Sequence, residues 1–230
     1  MSLVQSGPII NGLQGSELLQ FIETKLYTAV LSDSLDELGV RSQAMREYLR
    51  PIHAGCRFVG WAHTIGCKDI FEIVPDPYGT EIDAVDSILP NEVVVVSTGH
   101  SIRNAPWGEL LSTAAVARGA RGAVIDGLVR DVQKIEMLGF PVFASGIKPV
   151  DSMGRGIVIS NNQKVECGEI EVNPGDLVVA DFDGIVVVPQ DLVSRVVQMA
   201  ADKALREDGS RADLSKGAHL RDVFNKYGVL

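Results

Sequence analysis

The stretch from Trp107 to Asp131, WGELLSTAAVARGARGAVIDGLVRD, constrains the fold more than any other part of this chain. Its first half predicts a helix from about Glu109 to Arg118, and its second half contains the β-rich run AVID. A second helix, VQKIEMLG, and a second strand, PVFASG, follow directly. Alternation of helices and strands at this length predicts parallel strands joined by right-handed crossovers.

The segments on either side of this unit predict packing helices first and a sheet afterwards. Residues 1–15 are expected to form an irregular arm, and Ser16 is a candidate N-cap for the helix ELLQFIETKL. A second helix is expected over SDSLDELG, capped by Ser32 or Asp33 and ended by Gly39. The runs RFVGWAHTIGC and EVVVVSTG predict strands, with turn residues between them at Asp76, Pro77, Gly79, Pro90 and Asn91.

The last third of the chain predicts antiparallel hairpins followed by a helical end. The runs GIVIS, KVECGEIEV and DLVVADFDGIVVVP alternate β-rich segments with glycine turns. Residues 190–230 are expected to be mainly helical, with regular apolar spacing from Asp191 to Glu207. At 230 residues the chain is expected to be one α/β domain, with a parallel α/β part and antiparallel β hairpins.

Composition excludes several classes of function. A net charge of -9 argues against direct binding of nucleic acid, which depends mainly on Lys and Arg contacts to phosphates. The apolar runs are far shorter than the roughly 20 residues of a membrane span. The three cysteines have no CxxC spacing that would indicate zinc or a disulfide framework. The N-terminus has no pattern of a signal or transit peptide, so we expect a cytoplasmic protein.

The turns that begin at Gly108 and Arg130 are expected to be neighbours. A helix of about ten residues carries the chain roughly 15 Å away, and the following strand brings it back. Both turns precede helix N-termini at the carboxyl ends of parallel strands, where backbone amides favour an anion. Gly108 would allow close approach of a ligand, and the amides of Leu110 and Leu111 would donate to it.

Arg130 and Asp131 supply the charges of this candidate site. The guanidinium of Arg130 matches carboxylate and carbonyl oxygens, and Asp131 beside it has the opposite sign. The sequence is equally compatible with structural roles for both residues. Asp131 is also placed to cap the following helix, and Arg130 to pair with a surface acid.

The run GELLSTAAVARGARGAVIDGLVRD resembles a motif of the family that contains the regulator of ribonuclease activity A (RraA) and the class II 4-hydroxy-4-methyl-2-oxoglutarate aldolases. The resemblance extends to TAVLSDSLDELG, PVFASG and NPGDLVVADFDGIVVVP, so it covers most of the chain between Thr28 and Pro189. It implies a swivelling β/β/α three-layer fold and homotrimers or homohexamers, with active sites between subunits. Residues 190–230 would then pack on a neighbouring subunit.

The resemblance also implies roles for individual residues. An acidic residue, twenty intervening positions and Arg-Asp are typical of the aldolase branch, and Glu109, Arg130 and Asp131 occupy these positions. Some members have Asp at the first position, which leaves the proton-transfer role of Glu109 open. Asp131 would bind a divalent metal, Arg130 the keto oxygen of pyruvate, and the amides from Glu109 to Leu111 its carboxylate. Glu207 of a neighbouring subunit would reach the metal through water.

The chemistry of these residues is consistent with the implied roles. A single carboxylate with several waters is how Mg²⁺ is commonly bound, and Mn²⁺ also suits oxygen ligands. Cleavage of a 4-hydroxy-2-oxo acid produces a pyruvate enolate, whose charge a Lewis acid and an arginine would stabilise. Decarboxylation of oxaloacetate passes through the same enolate, so one site would support both reactions.

Other candidate residues are weaker. Lys148 would allow Schiff-base chemistry in place of a metal, although nothing in the sequence indicates that it is desolvated. Asp181 and Asp183 form either a catalytic pair or a turn before Gly184, and the turn is the simpler interpretation. His100 follows the EVVVVSTG strand and would be the histidine nearest to the pocket. The other three share no metal-ligand spacing and are expected to be structural: His53, His63 and His219.

Two functions follow from the resemblance. The first is a metal-dependent aldolase that releases pyruvate from a 4-hydroxy-4-methyl-2-oxoglutarate-like acid, with oxaloacetate decarboxylase activity. The second is a regulator that binds an endoribonuclease and has no chemistry of its own. An acidic surface would suit a basic segment of such a partner.

Overall fold

A computed structural model describes residues 8–10 and 12–229. The elements are α1 (Gly15–Lys25), α2 (Thr28–Glu37), β1 (Arg50–Pro51), β2 (Phe58–Asp69), α3 (Gly79–Asp86), β3 (Glu92–Ser97), α4 (Glu109–Ala117), β4 (Gly122–Val129), α5 (Val132–Leu138), β5 (Val142–Ile147), β6 (Gly156–Asn161), β7 (Val165–Cys167), β8 (Ile170–Val172), β9 (Leu177–Ala180), β10 (Ile185–Val188), α6 (Val193–Leu214) and α7 (Leu220–Tyr227). Most of the arm expected over residues 1–15 lies outside the described residues.

The centre of the molecule is a parallel α/β unit, as predicted. Strands β2, β3, β4 and β5 pair in parallel in this order, and helices α3, α4 and α5 connect them. The four valines at positions 93–96 of β3 are buried, which is typical of a strand that is covered on both faces. The carboxyl ends of these strands therefore lie along one edge of the sheet.

Antiparallel strands complete the sheet, and the predicted hairpins β7–β8 and β9–β10 are both present. The long strand β2 pairs with β9 through its first residues and with β6 through its last ones. Strands β9 and β10 form a hairpin, and β1 pairs with β5 at the other end, which gives the order β1-β5-β4-β3-β2-β9-β10. Strands β7 and β8 form a separate two-stranded hairpin.

The sheet has an inner and an outer face, each with its own core. Val95 and Val124 lie on one face, called the inner face, which packs against the β7–β8 hairpin. Val94 and Ala123 lie on the opposite face, called the outer face, which packs against α3, α4 and α5. Beyond β2, the sheet packs against α1, α2 and α6 in a third cluster. These layers confirm the mixed α/β class.

Helix α6 packs on its own chain along its first half. Val193, Val196, Val197 and Ala200 are buried against α1, α2 and the β9–β10 hairpin. The helix continues to Leu214, well past Glu207, and α7 follows after a short turn. Contact of residues 190–230 with a neighbouring subunit stays a prediction. No helix in the described part of the chain is long and apolar enough to span a membrane.

Several element boundaries differ from the predictions. Helix α2 begins at Thr28 rather than near Ser32, because Asp181 accepts hydrogen bonds from the Thr28 amide (2.9 Å) and hydroxyl (2.7 Å). This cap comes from 153 residues along the chain, beyond the range of local patterns. Helix α1 begins at Gly15 with Gln14 at its N-cap, so Ser16 is not the cap.

Two further differences concern the candidate site. Helix α3 was not predicted, because its eight residues stand among turn-forming residues and bury only Ala84 and Val85. Strand β4 continues three residues beyond the predicted run AVID, through Val129, with an irregular register between Ile125 and Leu128. The extra residues bring Val129 into a parallel bridge with Trp107.

Candidate active site

The two turns identified from the sequence are in direct contact. The amide of Arg130 donates to the carbonyl of Trp107 at 3.0 Å, next to the bridge between Trp107 and Val129. The indole of Trp107 in turn donates to Ser112 Oγ at 2.9 Å, and this hydroxyl bonds to the Gly108 carbonyl at 2.9 Å. Main-chain and buried side-chain bonds therefore hold both turns in place at the carboxyl edge of the sheet.

Gly108 is the point of closest approach. An added Cβ atom would lie 2.8 Å from Oδ2 of Asp131 and 3.1 Å from Cγ of Arg130. Its φ of −158° is ordinary extended backbone, so the requirement for glycine is one of space. The first bond of α4 runs from Ser112 to Gly108, which leaves the amides of residues 109–111 before the helical ladder. These amides can bind an anion beside Arg130.

Glu109 and Leu110 border this turn on the solvent side. Oε1 of Glu109 accepts a hydrogen bond from Thr113 Oγ1 at 3.0 Å, one turn along α4. Leu110 is 77% exposed. The structure thus places Glu109 at the site, and its role in proton transfer stays a prediction.

Asp131 adopts an unusual backbone conformation. It occupies the N-cap position of α5 with φ 60° and ψ 30°, and within the described chain its carboxylate makes no capping hydrogen bond. Left-handed conformations of residues other than glycine are uncommon and are concentrated at functional sites. The carboxylate is 43% exposed and lies 3.8 Å from Nε of Arg130. The alternative role as a side-chain cap is therefore not realised, and the carboxylate lies beside Gly108 and Arg130.

Arg130 is held by a residue that the sequence did not indicate. Its Nη2 lies 3.0 Å from Oδ1 of Asp151, which precedes β6. The other oxygen of Asp151 accepts bonds from the Tyr78 hydroxyl at 2.5 Å and the Met153 amide at 3.0 Å. Partial burial acts to raise the pKa of Asp151, but these bonds and the charge of Arg130 outweigh it and lower the pKa. Asp151 is thus an ionised partner of Arg130.

Glu81 lies beside this pair on α3. Burial, together with the negative charge of Asp151, raises the pKa of Glu81 to about 7, although Arg130 opposes the change. Glu81 lines a cavity of about 10 Å³ with Asn104, Ser152 and other residues. This volume is close to the space that one water molecule needs. The site therefore contains a carboxyl group that titrates near neutral pH.

Comparison with known proteins identifies the family. The model of the RraA-like family, Aldolase/RraA, matches residues 28–187. The chain belongs to this family. A relative from Halalkalibacterium halodurans, named "Putative 4-hydroxy-4-methyl-2-oxoglutarate aldolase", is 27% identical over 82% of this chain and 84% of its own length. Protein DlpA of Legionella pneumophila is 27% identical over 87% of this chain, which spans only 32% of DlpA.

A solved structure agrees with this assignment. RraAS2 of Streptomyces coelicolor, described as an unusual member of the RNase ES inhibitor RraA protein family, matches with a TM-score of 0.77 and 28% identity. The match covers 86% of this chain and 96% of that chain. The RraA-like fold expected from the sequence is therefore confirmed.

Other candidate residues of this RraA-like chain lie elsewhere. His100 contacts Tyr48 Oη at 2.5 Å and Asp126 Oδ1 at 3.2 Å on the inner face of the sheet, away from the Arg130 turn. The ammonium of Lys148 donates to the Ile102 carbonyl at 2.8 Å. Asp181 caps α2, and the turn at Asp181–Gly184 is closed by a bond of 3.0 Å. The turn interpretation of this pair is thus confirmed.

Glu207 lies on α6 and already has a partner within the RraA-like chain, because its carboxylate accepts a hydrogen bond from the Tyr27 hydroxyl. Partial burial raises its pKa. Whether it reaches the site of a neighbouring subunit stays a prediction.

Sequence reasoning missed Tyr78, Glu81 and Asp151. All three follow strands that end at the same edge as β3 and β4: Tyr78 and Glu81 follow β2, and Asp151 follows β5. The rule that ligands bind at the carboxyl ends of parallel strands would have indicated these loops. The described residues contain no group of three or more His, Cys, Asp or Glu that could hold a metal. Metal binding by Asp131 stays a prediction.

Proposed function

We propose that this protein is a divalent-metal-dependent aldolase that releases pyruvate from a 4-hydroxy-4-methyl-2-oxoglutarate-like 2-oxo diacid. The observation that carries the proposal is the contact between the Gly108 turn and the Arg130–Asp131 turn. In this contact the amides that begin α4, the guanidinium of Arg130 and the carboxylate of Asp131 lie close together. A 2-oxo acid has a carboxylate and a keto oxygen on adjacent carbons, which these groups match.

The residues divide the binding of pyruvate between them. The amides from Glu109 to Leu111 would bind its carboxylate at the start of α4. Arg130 would bind the keto oxygen and stabilise the negative charge that develops there. Because Asp131 is half exposed and makes no capping bond within the described chain, its carboxylate suits a hard cation with water ligands. Bound Mg²⁺ or Mn²⁺ would supply a Lewis acid for the same charge.

The proposed reaction is a retro-aldol cleavage. A base removes the proton of the C4 hydroxyl, C4 becomes a carbonyl group, and the bond between C3 and C4 breaks. Its electrons pass into the enolate of pyruvate, and a proton added at C3 gives pyruvate. Glu109, acting through a bound water, is the proposed base. Loss of CO₂ from oxaloacetate leaves the same enolate, so decarboxylation is the expected second activity.

We propose that the site is completed in a homotrimer or homohexamer by Glu207 of a neighbouring copy, acting through water. Its bond to Tyr27 would then have to open or be shared. We place the enzyme in the cytoplasm, where its three free thiols would remain reduced. Light scattering would give the oligomeric state. An unchanged kcat in Glu207→Gln would show that this residue is not part of the site.

The test of the proposed activity is an assay for pyruvate coupled to lactate dehydrogenase. Protein treated with EDTA and then supplied with Mg²⁺ or Mn²⁺ is expected to act on oxaloacetate and on 4-hydroxy-4-methyl-2-oxoglutarate. Activity should vanish with EDTA and return with metal. No pyruvate from either substrate at saturating metal would rule out the proposal.

The similarity to RraAS2 supports a second candidate, a regulator that binds an endoribonuclease. Such a role needs an exposed acidic surface and does not need Arg130 or Asp131. Sub-micromolar capture of a ribonuclease by EDTA-treated protein, unchanged in Arg130→Lys, would favour the regulator. Loss of pyruvate production in the same variant would favour the aldolase.

A further inference from the structure

The orientation of Arg130 depends on a chain of contacts that begins outside the pocket. Tyr78 precedes α3 and donates its hydroxyl to Asp151 Oδ2 at 2.5 Å. Asp151 presents its other oxygen to Arg130 Nη2 at 3.0 Å. The amide of Met153 adds a third bond to this carboxylate, also at 3.0 Å. Asp151 is therefore fixed from two directions before it contacts Arg130.

Arg130 has a second acidic neighbour that competes for it. Its Nε lies 3.8 Å from Oδ2 of Asp131, longer than a hydrogen bond. The arginine side chain is 39% exposed and has several rotatable bonds, so it is free to turn towards Asp131 unless another group holds it. A close pair between the two would occupy both the proposed binder of the keto oxygen and the proposed metal ligand.

We propose that Asp151 and Tyr78 are positioning residues, which hold the guanidinium of Arg130 towards the 2-oxo acid and away from Asp131. The inference rests on the proposed function for the identity of the ligand. Asp151 engages Nη2, so the remaining N–H groups stay available for substrate. Tyr78 acts through Asp151, because Asp151 is the one side chain in the described part of the protein to which its hydroxyl donates a hydrogen bond.

Three variants separate this role from general stability. Asp151→Asn keeps the shape of the side chain but removes its charge, and Tyr78→Phe removes only the hydroxyl. Tyr227→Phe is the matched control, since its hydroxyl also donates to a carboxylate, that of Asp213 at 3.0 Å, in the C-terminal helices. Melting temperatures of all three report on folding alone.

The first measurement is calorimetric binding of oxalate, a planar dianion that resembles the pyruvate enolate, at saturating Mg²⁺. Loss of the negative charge that lies 3.0 Å from Arg130 Nη2 should weaken oxalate binding roughly fivefold in Asp151→Asn. The loss should be smaller in Tyr78→Phe and absent in Tyr227→Phe. Because Tyr78 acts through Asp151, the double variant should bind oxalate no more weakly than Asp151→Asn alone. Equal oxalate affinity in all variants, or additive losses, would overturn the proposal.

A second measurement does not depend on any substrate. In protein labelled with ¹⁵N-arginine, the Nη2–H resonance of Arg130, the group that faces Asp151, is assigned by its absence in Arg130→Lys. We expect a distinct, slowly exchanging resonance that moves to the position of free arginine in Asp151→Asn and in part in Tyr78→Phe. An unchanged resonance would overturn the positioning role even if the enzyme is active. The resonance could also change in a protein that neither binds oxalate nor forms pyruvate. That result would retain the positioning role and reject the aldolase proposal.

Discussion

Oδ2 of Asp131 lies only 2.8 Å from the position that a Cβ atom on Gly108 would occupy. This distance is shorter than contacts between carbon and oxygen allow without movement. The backbone of Gly108 is extended, so any residue can adopt its conformation. Glycine at position 108 therefore leaves space for the side chains of Asp131 and Arg130, and the conformation of the turn itself does not require it.

A single methyl group at position 108 should thus disturb the site more than the fold. In Gly108→Ala we expect kcat/KM for oxaloacetate to fall roughly tenfold or more, since displacements near 1 Å are costly in catalysis. The melting temperature should change little, because the displaced carboxylate is half exposed. Kinetics together with thermal unfolding measure the two effects, and a normal kcat/KM would show that Asp131 tolerates displacement.

Asp131→Asn isolates the charge of this residue. Asparagine is among the residues that best tolerate left-handed backbone, so the observed φ of 60° should be retained. Since no capping bond within the described chain is lost, we expect stability to change by less than about 0.5 kcal/mol. Pyruvate formation should disappear, as should the calorimetric signal of Mn²⁺ binding. Normal Mn²⁺ affinity in this variant would place the metal elsewhere.

Glu81 should make stability depend on pH. Its folded pKa of about 7 lies above the ordinary value of 4.5, so the folded state binds the proton more tightly than the unfolded state. The associated stability is fully present below pH 4.5 and is lost as the pH rises through 7, by about 3 kcal/mol in total. Urea unfolding at pH 5 and pH 8 should show this decrease in the wild type. Glu81→Gln should show little of it, and an equal decrease in both proteins would assign the effect to other groups.

Asp181 should matter for stability and not for chemistry. Its carboxylate caps α2 through the amide and hydroxyl of Thr28. Asp181→Ala should therefore cost about 1 to 2 kcal/mol of unfolding free energy. The matched control is Asp183→Ala, two residues away in the same turn, which should have little effect on stability. Unchanged kcat in both variants would exclude a catalytic pair. A specific loss of kcat in Asp181→Ala would instead favour a catalytic role for Asp181.

The fold was predictable where the periodicity was strong and local. The alternation from Glu109 to Ile147 indicated parallel strands, and the glycine turns after Gly154 indicated hairpins. Both were confirmed. The start of α2 was not predictable, because its capping residue is contributed by the distant turn at Asp181. Helix α3 was missed because its short apolar face lies within a sequence that is otherwise typical of turns.

The site was predictable to a similar extent. The spacing of Glu109 and Arg130 required their turns to meet, since one helix and one strand separate them. Nothing in that spacing indicates which acid pairs with Arg130, because Asp151 follows a different strand. The pKa of Glu81 depends on burial and on the charge of Asp151, which are properties of the assembled structure. Sequence patterns therefore predicted that the two turns meet, but not which groups surround them.

Strand β2 also limits the order in which the molecule can fold. It is shared by three ladders, and its first residue, Phe58, pairs with Ala180 near the end of the sheet. Contacts between such distant residues form slowly, because a long loop must close before they contribute stability. During synthesis on a ribosome, the Arg130 turn would thus emerge long before β9 is available to complete the sheet beneath it. A chain that is interrupted before β9 has all its proposed pyruvate-binding residues but lacks the strand that pairs with the first residues of β2.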